Sequence, residues 1–335
     1  MKAIQITKYQ HPSQLEISNI PAPKAEEGQV LVDIYAAGLN FFDILQAQGK
    51  YQSQPPFPFV LGAEIAGRVS ANSPVDSSSL FKPGDRVLGY TQGAYAEQVA
   101  VNSYQLLPCP DNISLEQATG VYLTYPTSYE GLVGRANAQP GEWVLVLAAA
   151  GGVGLAAVQI AKMLGCKVIA AAGSAEKLKI AVERGGADAT VDYGKEGWQK
   201  EVLKITGGAG VDVVYDPVGM LVPSLKCVNW NARLVVVGFA AGAIEKVPAN
   251  LLLLKNVSVV GLHWGATAKK DPNRYVEVIR IVLEHIRNGD LVPQVFDPVY
   301  EGLQSVPRGL VDIEKRKTWG KAVVRIRKDE AASKL

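Results

Sequence analysis

The sequence predicts an α/β protein of two domains, one rich in β-strands and one built on a doubly wound parallel sheet. The chain has 335 residues, which exceeds the usual size of a single domain. Its middle part alternates short apolar strands with helices, which is typical of a parallel sheet covered on both faces. A glycine-rich turn joins the first of these strands to the first helix, as a tight strand-to-helix connection requires.

Residues 1 to about 120 consist of short, half-buried runs separated by Pro/Gly turns. The N-terminal MKAIQITKYQ alternates apolar and polar residues, which predicts a strand and lacks the apolar core of a signal peptide. Val30–Ile34 and Glu64–Val69 predict further strands, and Lys82–Asp85 is a turn. This first part is therefore expected to be a β-rich domain.

From about Tyr125 to Gly261 the pattern changes to strands alternating with helices. The predicted strands are Trp143–Leu147, Lys167–Ala171, Ala189–Asp192, Val211–Tyr215, Arg233–Val237 and Val257–Val260. The predicted helices between them include Leu155–Leu164 and Ala175–Arg184. The remainder contains one strong helix, Tyr275–Asn288, and a final strand, Lys321–Ile326.

Composition and charge exclude several classes of protein. There are 34 Lys and Arg against 32 Asp and Glu, a formal net charge of +2, and no basic block, so no nucleic-acid partner is expected. Three single cysteines form no disulfide framework, which favours a reducing compartment. The uncharged run Val144–Ala161 could cross a bilayer by length alone, but three glycines interrupt it where a turn is expected. No membrane insertion is therefore expected.

The glycine-rich turn has the form of a dinucleotide fingerprint. It reads A-x-G-x-x-G, with Ala149 at the first glycine position. Small residues allow a tight turn, bring backbone N–H groups against a pyrophosphate and let the helix pack closely on the sheet. The alternative is a glycine-rich turn in a non-binding α/β domain, and the strand–turn–helix–strand context favours a Rossmann domain. The predicted pyrophosphate-binding residues are Ala150, Gly151, Gly152 and Val153.

The end of the second strand predicts NADP(H) rather than NAD(H). An NAD-binding domain places Asp or Glu there to bind the ribose 2′-hydroxyl, whereas this chain has Ala171-Ala172-Gly173-Ser174. Ser174 and Lys177 supply a donor and a cation for a 2′-phosphate. The alternatives are that Ser174 only caps the next helix and that Lys177 is a surface lysine. Glu176 nearby does not favour an anion.

Six segments together resemble the quinone oxidoreductase branch of the medium-chain dehydrogenase/reductase superfamily. They occur in the same order over nearly the whole chain. These segments are GLNFFDILQAQGKY (38–51), PFPFVLGAEIAGRV (56–69), KPGDRVLG (82–89), GAYAEQVAV (93–101), AAAGGVGLAAVQIAK (148–162) and RKTWGKAVV (316–324).

The resemblance implies a division of the chain and an assembly. Residues 1–124 and 263–335 would form a GroES-like catalytic domain, and residues 125–262 an inserted Rossmann domain that binds NADP(H). It also implies a cleft between the domains and a homodimer formed through the last Rossmann strands, around Val257–Gly261.

The chain departs from the zinc-binding members of this superfamily. Those place a Cys and a Gly-His-Glu at the catalytic metal, where this chain has Asn40 and Gly62-Ala63-Glu64. Because zinc prefers thiolate and imidazole ligands, we expect no metal and a structural role for Glu64. Without a Lewis acid, alcohol oxidation loses its usual stabilisation of an alkoxide. Reduction of a quinone or an enone is then the favoured reaction.

The resemblance assigns catalytic roles to three residues of the first domain. It places Asn40 near the nicotinamide ribose, with Asp43 supporting that loop, although Asn40 could also be a turn residue. Tyr51 matches a tyrosine that related enoyl thioester reductases use as a proton donor. The alternative for Tyr51 is an aromatic residue that only shapes the cleft wall.

The resemblance also assigns further cofactor contacts. Thr127 matches a cofactor-contacting threonine, and Tyr193 matches a residue beside the adenosine 2′-phosphate. The backbone at Gly238-Phe239 would run beside the nicotinamide. Arg316 would reach the cofactor phosphates, unless it is a surface arginine.

Three functions remain open at this point. The first is reduction of a small-molecule quinone or enone by NADPH. The second is reduction of a 2-enoyl thioester of coenzyme A, which Tyr51 and a peroxisomal address favour, with Lys50 as a candidate contact to the phosphates. The third is a non-catalytic NADPH-binding protein of the crystallin type, which the retained cofactor-loop residues disfavour. One or two pocket side chains distinguish these acceptors, so the sequence does not choose among them.

The last three residues, Ser333-Lys334-Leu335, form a peroxisomal targeting tripeptide. They follow a polar segment after the last strand, so we expect the peroxisomal import receptor to reach them. The expected location is therefore peroxisomal, or cytoplasmic if the import receptor does not bind the tripeptide.

Overall fold

A computed structural model describes residues 1–52, 54–74 and 80–329. The chain forms two compact units, one from residues 1–123 together with the chain from residue 295 onward, and one from residues 124–294. The targeting tripeptide Ser333-Lys334-Leu335 lies outside the described residues.

The strands of the described residues follow one another along both units. In chain order they are β1 (Lys2–Ile6), β2 (Ile17–Asn19), β3 (Gln29–Gly38), β4 (Phe59–Val60), β5 (Glu64–Val69), β6 (Arg86–Tyr90), β7 (Gln98–Asn102), β8 (Leu106–Pro108), β9 (Trp143–Leu147), β10 (Lys167–Ala172), β11 (Ala189–Asp192), β12 (Val211–Asp216), β13 (Val228–Val236), β14 (Ser258–Gly261), β15 (Tyr300–Glu301) and β16 (Val323–Arg325).

Helices are short in the first unit and longer in the second. In chain order they are α1 (Phe41–Ala47), α2 (Leu115–Ala118), α3 (Thr124–Tyr129), α4 (Gly152–Met163), α5 (Ala175–Glu183), α6 (Trp198–Ile205), α7 (Leu221–Ser224), α8 (Ala249–Lys255), α9 (Trp264–Lys270), α10 (Pro272–Asn288) and α11 (Val306–Glu314). A π-helical turn, Glu130–Arg135, continues α3. Single 3-10 turns span Pro12–Gln14, Ser103–Gln105, Leu225–Cys227 and Leu303–Ser305.

The first unit is built on a mostly antiparallel sheet. Its strand order is β15-β16-β3-β5-β6-β8, with β7 also paired to β3, and a smaller sheet has the order β2-β1-β4. Alternate residues of these strands, such as Ile4, Ile34 and Ile65, are buried in one apolar core. The C-terminal strand β16 pairs directly with β3, so both ends of the chain build this unit.

The second unit contains a parallel sheet in the order β11-β10-β9-β12-β13-β14. Numbered within the unit, this is the 3-2-1-4-5-6 order of a Rossmann domain, the domain type that the sequence predicts. The central strands β9 and β12 are almost wholly buried, because helices cover both faces of a parallel sheet.

The predicted elements agree closely with the structure, with two instructive differences. Strands β5, β9 and β11 have the predicted bounds. Helix α4 begins at Gly152, three residues before the predicted Leu155, because its first turn is made of the fingerprint glycines themselves. Strand β13 begins at Val228 instead of Arg233, and its pairing with β12 has an irregularity after the first pair.

Residues 263–294 belong to the second unit, whereas the sequence analysis assigned them to the first. The Trp264 ring stacks on Tyr275 with centroids 5.0 Å apart. Arg274 forms an ion pair with Glu130 at 2.9 Å, which joins α10 to the end of α3. These contacts are long-range, and the strand pattern that set the predicted boundary at β14 contains no information about them.

Within the described residues, no helix combines the length and apolar character needed to cross a membrane. The run Val144–Ala161 is divided between β9 and α4 by the fingerprint turn.

Candidate functional site

Most predicted cofactor-binding residues of the second unit lie where the parallel strands end. Ala150–Val153 follow β9, Gly173-Ser174 follow β10, Tyr193 follows β11 and Gly238-Phe239 follow β13. Because the carboxyl ends of parallel strands lie at the same edge of the sheet, the structure brings these residues to one edge. That edge is where ligands bind in doubly wound folds.

The fingerprint turn has the backbone geometry that a pyrophosphate site needs. Ala148 has a positive φ of 47°, and a Cβ atom on Gly154 would lie only 2.2 Å from the Ala148 carbonyl oxygen. Gly151 is the N-cap of α4, so the first free N–H groups of the helix open at this turn. The Ala149 N–H donates to the Ala171 carbonyl at 3.0 Å, which ties the turn to β10. The turn therefore fits a pyrophosphate group.

The loop after β10 fits a 2′-phosphate. Ser174 caps α5, since its hydroxyl accepts a hydrogen bond from the Lys177 backbone N–H at 3.4 Å, and its own O–H hydrogen is left to donate. A Cβ atom on Gly173 would lie 3.4 Å from the Tyr193 ring, so these two residues are neighbours. The Lys177 side chain is half-buried on the first turn of α5. The helix N-terminus and the lysine charge both favour an anion here.

Two further predicted cofactor residues lie in different units. Thr127 lies on α3, which is fixed to α4 because the neighbouring Ser128 hydroxyl donates to the Val153 carbonyl at 2.8 Å. Arg316 belongs to the first unit, where it follows α11 with an exposed side chain and a positive φ of 55°. Its predicted contact with the cofactor phosphates stays a prediction.

In the first unit, the register of three neighbouring strands aligns the candidate catalytic region. Gly38 on β3 is paired with Glu64 on β5, which is in turn paired with Tyr90 on β6. Asn40 lies two residues after the end of β3 and is the N-cap of α1. Asn40, Glu64 and Tyr90 are thus brought to the same end of the sheet by hydrogen-bonded pairing.

A buried network of polar groups occupies this end of the sheet. The Lys321 ammonium donates to Asn40 Oδ1 at 2.6 Å and forms an ion pair with Glu64 Oε2. Asn40 Nδ2 donates to the same Glu64 oxygen at 2.9 Å, and the Leu123 N–H donates to Glu64 Oε1 at 2.9 Å. All three side chains of this network are buried. The orientation of the Asn40 amide is therefore set by a cation on its oxygen and a carboxylate on its nitrogen.

Asp43 supports the loop that carries Asn40, as the resemblance predicts. Its Oδ2 accepts from the Asn40 N–H at 2.8 Å and from the Tyr95 hydroxyl at 2.6 Å. Its Oδ1 is buried and has no hydrogen-bond partner among the described residues. Burial raises the pKa of the Asp43 carboxyl to about 7, although the hydrogen bonds from Tyr95 and Asn40 favour its ionised form.

Tyr51 is available to a ligand. Its half-buried ring lies 5.4 Å, centroid to centroid, from the ring of Phe42. Burial raises the pKa of its phenol, and the charge of Asp43 raises it further. No residue in the described ranges hydrogen-bonds to the Tyr51 hydroxyl. The phenol is therefore protonated at neutral pH and free to donate.

The donor set in the first unit does not fit zinc. Asn40 offers an amide and Ala63 offers no ligand atom, and the Lys321 ammonium already binds both Asn40 and Glu64. Among the described residues, no three or more His, Cys, Asp and Glu side chains are grouped so that they could hold a metal ion. A second cation beside this ammonium would be repelled.

Sequence reasoning missed Lys321 and Tyr95, which hold the candidate site together. Lys321 precedes the apolar residues of β16, and a lysine in such a pattern is almost never buried without a partner. That signal could have indicated a buried ion pair. For Tyr95 the signal is indirect: a Cβ atom on Gly62 would lie 2.6 Å from its ring, so the glycine of Gly62-Ala63-Glu64 makes room for it.

Comparison with known proteins finds relatives over nearly the whole chain. Residues 26–111 match the alcohol dehydrogenase GroES-like domain family, and residues 152–284 match the zinc-binding dehydrogenase family. A quinone oxidoreductase-like protein 2 homolog from Nematostella vectensis is 43% identical over 302 residues, covering 88% of this chain and 81% of that protein.

Solved structures agree with this assignment. A probable oxidoreductase from Mycobacterium abscessus has a TM-score of 0.87 and 36% identity, over 97% of this chain and 98% of that chain. The quinone oxidoreductase of Escherichia coli, solved in complex with NADPH, has a TM-score of 0.86 and 30% identity, over 97% of this chain and 100% of that chain.

The raised pKa of Asp43 predicts a pH-dependent stability. The folded state binds this proton more tightly than the unfolded chain, so the stabilisation is full below about pH 4 and is lost as the pH rises through about 7. In Asp43→Asn the free energy of unfolding should therefore decrease less between about pH 4 and pH 7 than in the wild type. Urea titrations at several pH values measure this difference. This variant keeps Tyr95, Glu64 and Lys321, the other groups that interact with Asp43, so only the titration of residue 43 is removed. The exposed Asp111→Asn should leave the pH dependence as it is, and an unchanged profile in Asp43→Asn would contradict the assignment.

The buried ion pair predicts a large effect of removing one partner. Lys321→Met leaves the Glu64 carboxylate buried without its counter-charge, which should lower the free energy of unfolding by about 3–5 kcal/mol. Lys321→Met combined with Glu64→Gln should lose less than Lys321→Met, because no unpaired charge remains. The matched control is Lys317→Met, whose side chain is 62% exposed. Equal losses in the single and double variants would show that the charge is not the cause.

Proposed function

The chain belongs to the quinone oxidoreductase branch of the medium-chain dehydrogenase/reductase superfamily, and on that premise we propose that it transfers hydride from NADPH to a quinone or an α,β-unsaturated carbonyl compound without zinc. It is an oxidoreductase of this family. The observation that carries the choice of acceptor is the Asn40–Glu64–Lys321 network. An ammonium and an amide form this network, which contains no Lewis acid for an alkoxide, so a conjugated acceptor is the better substrate.

Residues of the second unit would hold NADP(H). The fingerprint turn suits the pyrophosphate, and Ser174, Lys177 and Tyr193 suit the 2′-phosphate. When bound, the cofactor supplies hydride from the nicotinamide ring. The absence of a carboxylate at Ala172-Gly173-Ser174 supports NADPH over NADH, because an acidic residue there would repel the 2′-phosphate.

Residues of the first unit would stabilise the negative charge that develops on the acceptor and donate a proton to it. Negative charge collects on the carbonyl oxygen of the acceptor as hydride arrives, and a phenol can donate to it. We assign this role to Tyr51, whose hydroxyl has no partner among the described residues. Lys321 and Glu64 act through Asn40, whose amide they orient. Asp43 fixes the backbone of Asn40.

A second candidate function is reduction of a 2-enoyl thioester of coenzyme A. A surface pocket of about 330 Å³ is lined by Tyr9, Gln10, His11, Gln48 and Lys50. Lys50 directly precedes Tyr51 and has no ion-pair partner in the described part of the chain. An aromatic side chain and a free ammonium beside the proposed proton donor favour a substrate with a phosphorylated carrier.

We further propose a homodimer formed through β14. This strand is at the edge of the parallel sheet, and no described strand pairs with its outer side. The preceding helix α8 exposes Leu253 and Leu254, whose relative accessibilities are 79% and 69%. An open strand edge with exposed leucines favours pairing with a second copy.

A peroxisomal location is also a proposal. It is supported by the tripeptide Ser333-Lys334-Leu335, which the peroxisomal import receptor would bind. A peroxisomal address is compatible with either acceptor class.

The proposed function predicts which substrates are turned over. Purified protein should consume NADPH rapidly with an ortho-quinone or a simple enone, and slowly with NADH. The rate is measured from the absorbance of the reduced cofactor. A third acceptor, trans-2-enoyl-CoA, is tested in the same way. A preference for the enoyl-CoA would select the second candidate. Binding of NADPH without turnover of any of the three would favour a non-catalytic protein of the crystallin type and contradict the proposal.

The cofactor assignment predicts a selective effect at Lys177. Lys177→Glu should weaken NADPH binding far more than NADH binding, because only NADPH carries the 2′-phosphate that the new carboxylate repels. Dissociation constants from cofactor fluorescence measure both. Lys179→Glu is the matched control, since it makes the same charge change on the same helix at a side chain that is 72% exposed. Equal weakening of both cofactors by Lys177→Glu would contradict the 2′-phosphate site.

A further inference from the structure

Tyr90 lies beside the candidate catalytic region without any role assigned so far. It ends β6 and is paired with Glu64 on β5, so the two side chains are directed to the same face of the sheet. Glu64 is the carboxylate that binds Lys321 and Asn40. The register of the sheet therefore places the phenol of Tyr90 next to the buried network.

The Tyr90 ring is held firmly, but its hydroxyl is not used by the protein. The ring stacks on Tyr122 at a centroid distance of 6.0 Å and an interplanar angle of 16°, and Tyr122 is buried. The Tyr90 hydroxyl has no hydrogen-bond partner among the described residues. Partial burial leaves this hydroxyl accessible to another molecule. A rigid ring with an unused hydroxyl is suited to a ligand.

Two other tyrosines of the same unit use their hydroxyls within the protein. Tyr95 donates to Asp43 at 2.6 Å, and Tyr300 donates to Asp312 at 3.0 Å. Tyr51 and Tyr90 differ from them, because neither hydroxyl has a partner in the described ranges. Both are half-buried, so both rings are packed while their hydroxyls are left for another molecule.

Packing and strand register place the two phenols in one region. The Tyr51 ring lies 5.4 Å from the ring of Phe42 on α1, and the N-cap of that helix is Asn40. Asn40 binds Glu64, which is paired with Tyr90. Burial raises the pKa of both phenols, so both keep their protons at neutral pH and are donors.

We propose that Tyr90 is a second catalytic phenol, which donates a hydrogen bond to the same acceptor carbonyl oxygen as Tyr51. This inference rests on the hydride-transfer function proposed above. A carbonyl oxygen has two lone pairs, so it accepts from two donors at once. Two donors aimed at one oxygen form an oxyanion hole, which stabilises negative charge as it develops.

The two phenols would have different tasks. Addition of hydride to the β-carbon of an enone moves the π electron pair to the carbonyl oxygen, which becomes an enolate. Tyr51 transfers its proton to the enolate, and water then returns a proton to the Tyr51 phenolate. Tyr90 keeps its proton throughout and only donates a hydrogen bond. The step balances with the hydride from NADPH and one proton from water.

The test is to remove the hydroxyl of Tyr90 and keep its ring. Tyr90→Phe should lower kcat with an enone by about 100-fold or more, as loss of an oxyanion-hole donor does. The KM for NADPH and the melting temperature should be unchanged, because the hydroxyl has no partner among the described residues and would donate to the acceptor instead of the cofactor. In Tyr51→Phe/Tyr90→Phe the loss should be smaller than the product of the single losses, since both donors serve one oxygen.

A binding measurement separates this inference from the proposed function. The dissociation constant of 4-nitrophenolate in the presence of NADP⁺ reports on the oxyanion site without turnover, and Tyr90→Phe should weaken it by about 10-fold. Tyr104→Phe is the matched control, because Tyr104 is 81% exposed. If wild-type protein reduces no acceptor, the proposed function fails, while this binding comparison still tests Tyr90. Activity and anion binding within about twofold of wild type in Tyr90→Phe would overturn the inference, as would losses matched by a lower melting temperature.

Discussion

The first unit depends on one buried ion pair, between the carboxylate of Glu64 and the ammonium of Lys321. Removing two charges from water is unfavourable, so such a pair persists only when further hydrogen bonds complete it. Asn40 and the backbone of Leu123 supply these bonds. The network thereby joins four segments of the first unit, which carry Glu64, Asn40, Lys321 and Leu123. All four segments are needed to satisfy the buried polar groups at this end of the sheet.

The same ion pair supports the proposal that this chain, although related to zinc-binding dehydrogenases, reduces a conjugated acceptor. The positive charge at the end of the sheet is covalently part of the protein, and its two acceptor groups come from Asn40 and Glu64. An ammonium that is fully engaged in this way orients neighbours but does not polarise an alcohol as a metal ion does. Acceptors that already carry a polarised carbonyl group need only hydrogen-bond donors, which the free phenols at this sheet end can provide.

The second unit depends on backbone geometry more than on side chains. Its fingerprint turn combines a positive φ at Ala148 with a close approach of Gly154 to the Ala148 carbonyl oxygen. Any side chain at Gly154 would force the helix away from the turn, and the N–H groups at the start of α4 would then be displaced. The loops after the neighbouring strands gain their positions from the parallel order of the sheet. In the proposed cofactor site, selectivity would depend on a few side chains such as Lys177 at an edge that the fold defines.

The sequence by itself determined the features whose causes lie within a few consecutive residues. These are the strands β5, β9 and β11 and the fingerprint turn, because alternation and steric demands are local. Only the tertiary structure decided that residues 263–294 pack on the second unit and that Lys321 binds Glu64 and Asn40. It also decided that Tyr90 is aligned with Glu64 across the sheet. Contacts between residues that are distant along the chain depend on strand register and packing, and no short stretch of sequence encodes them.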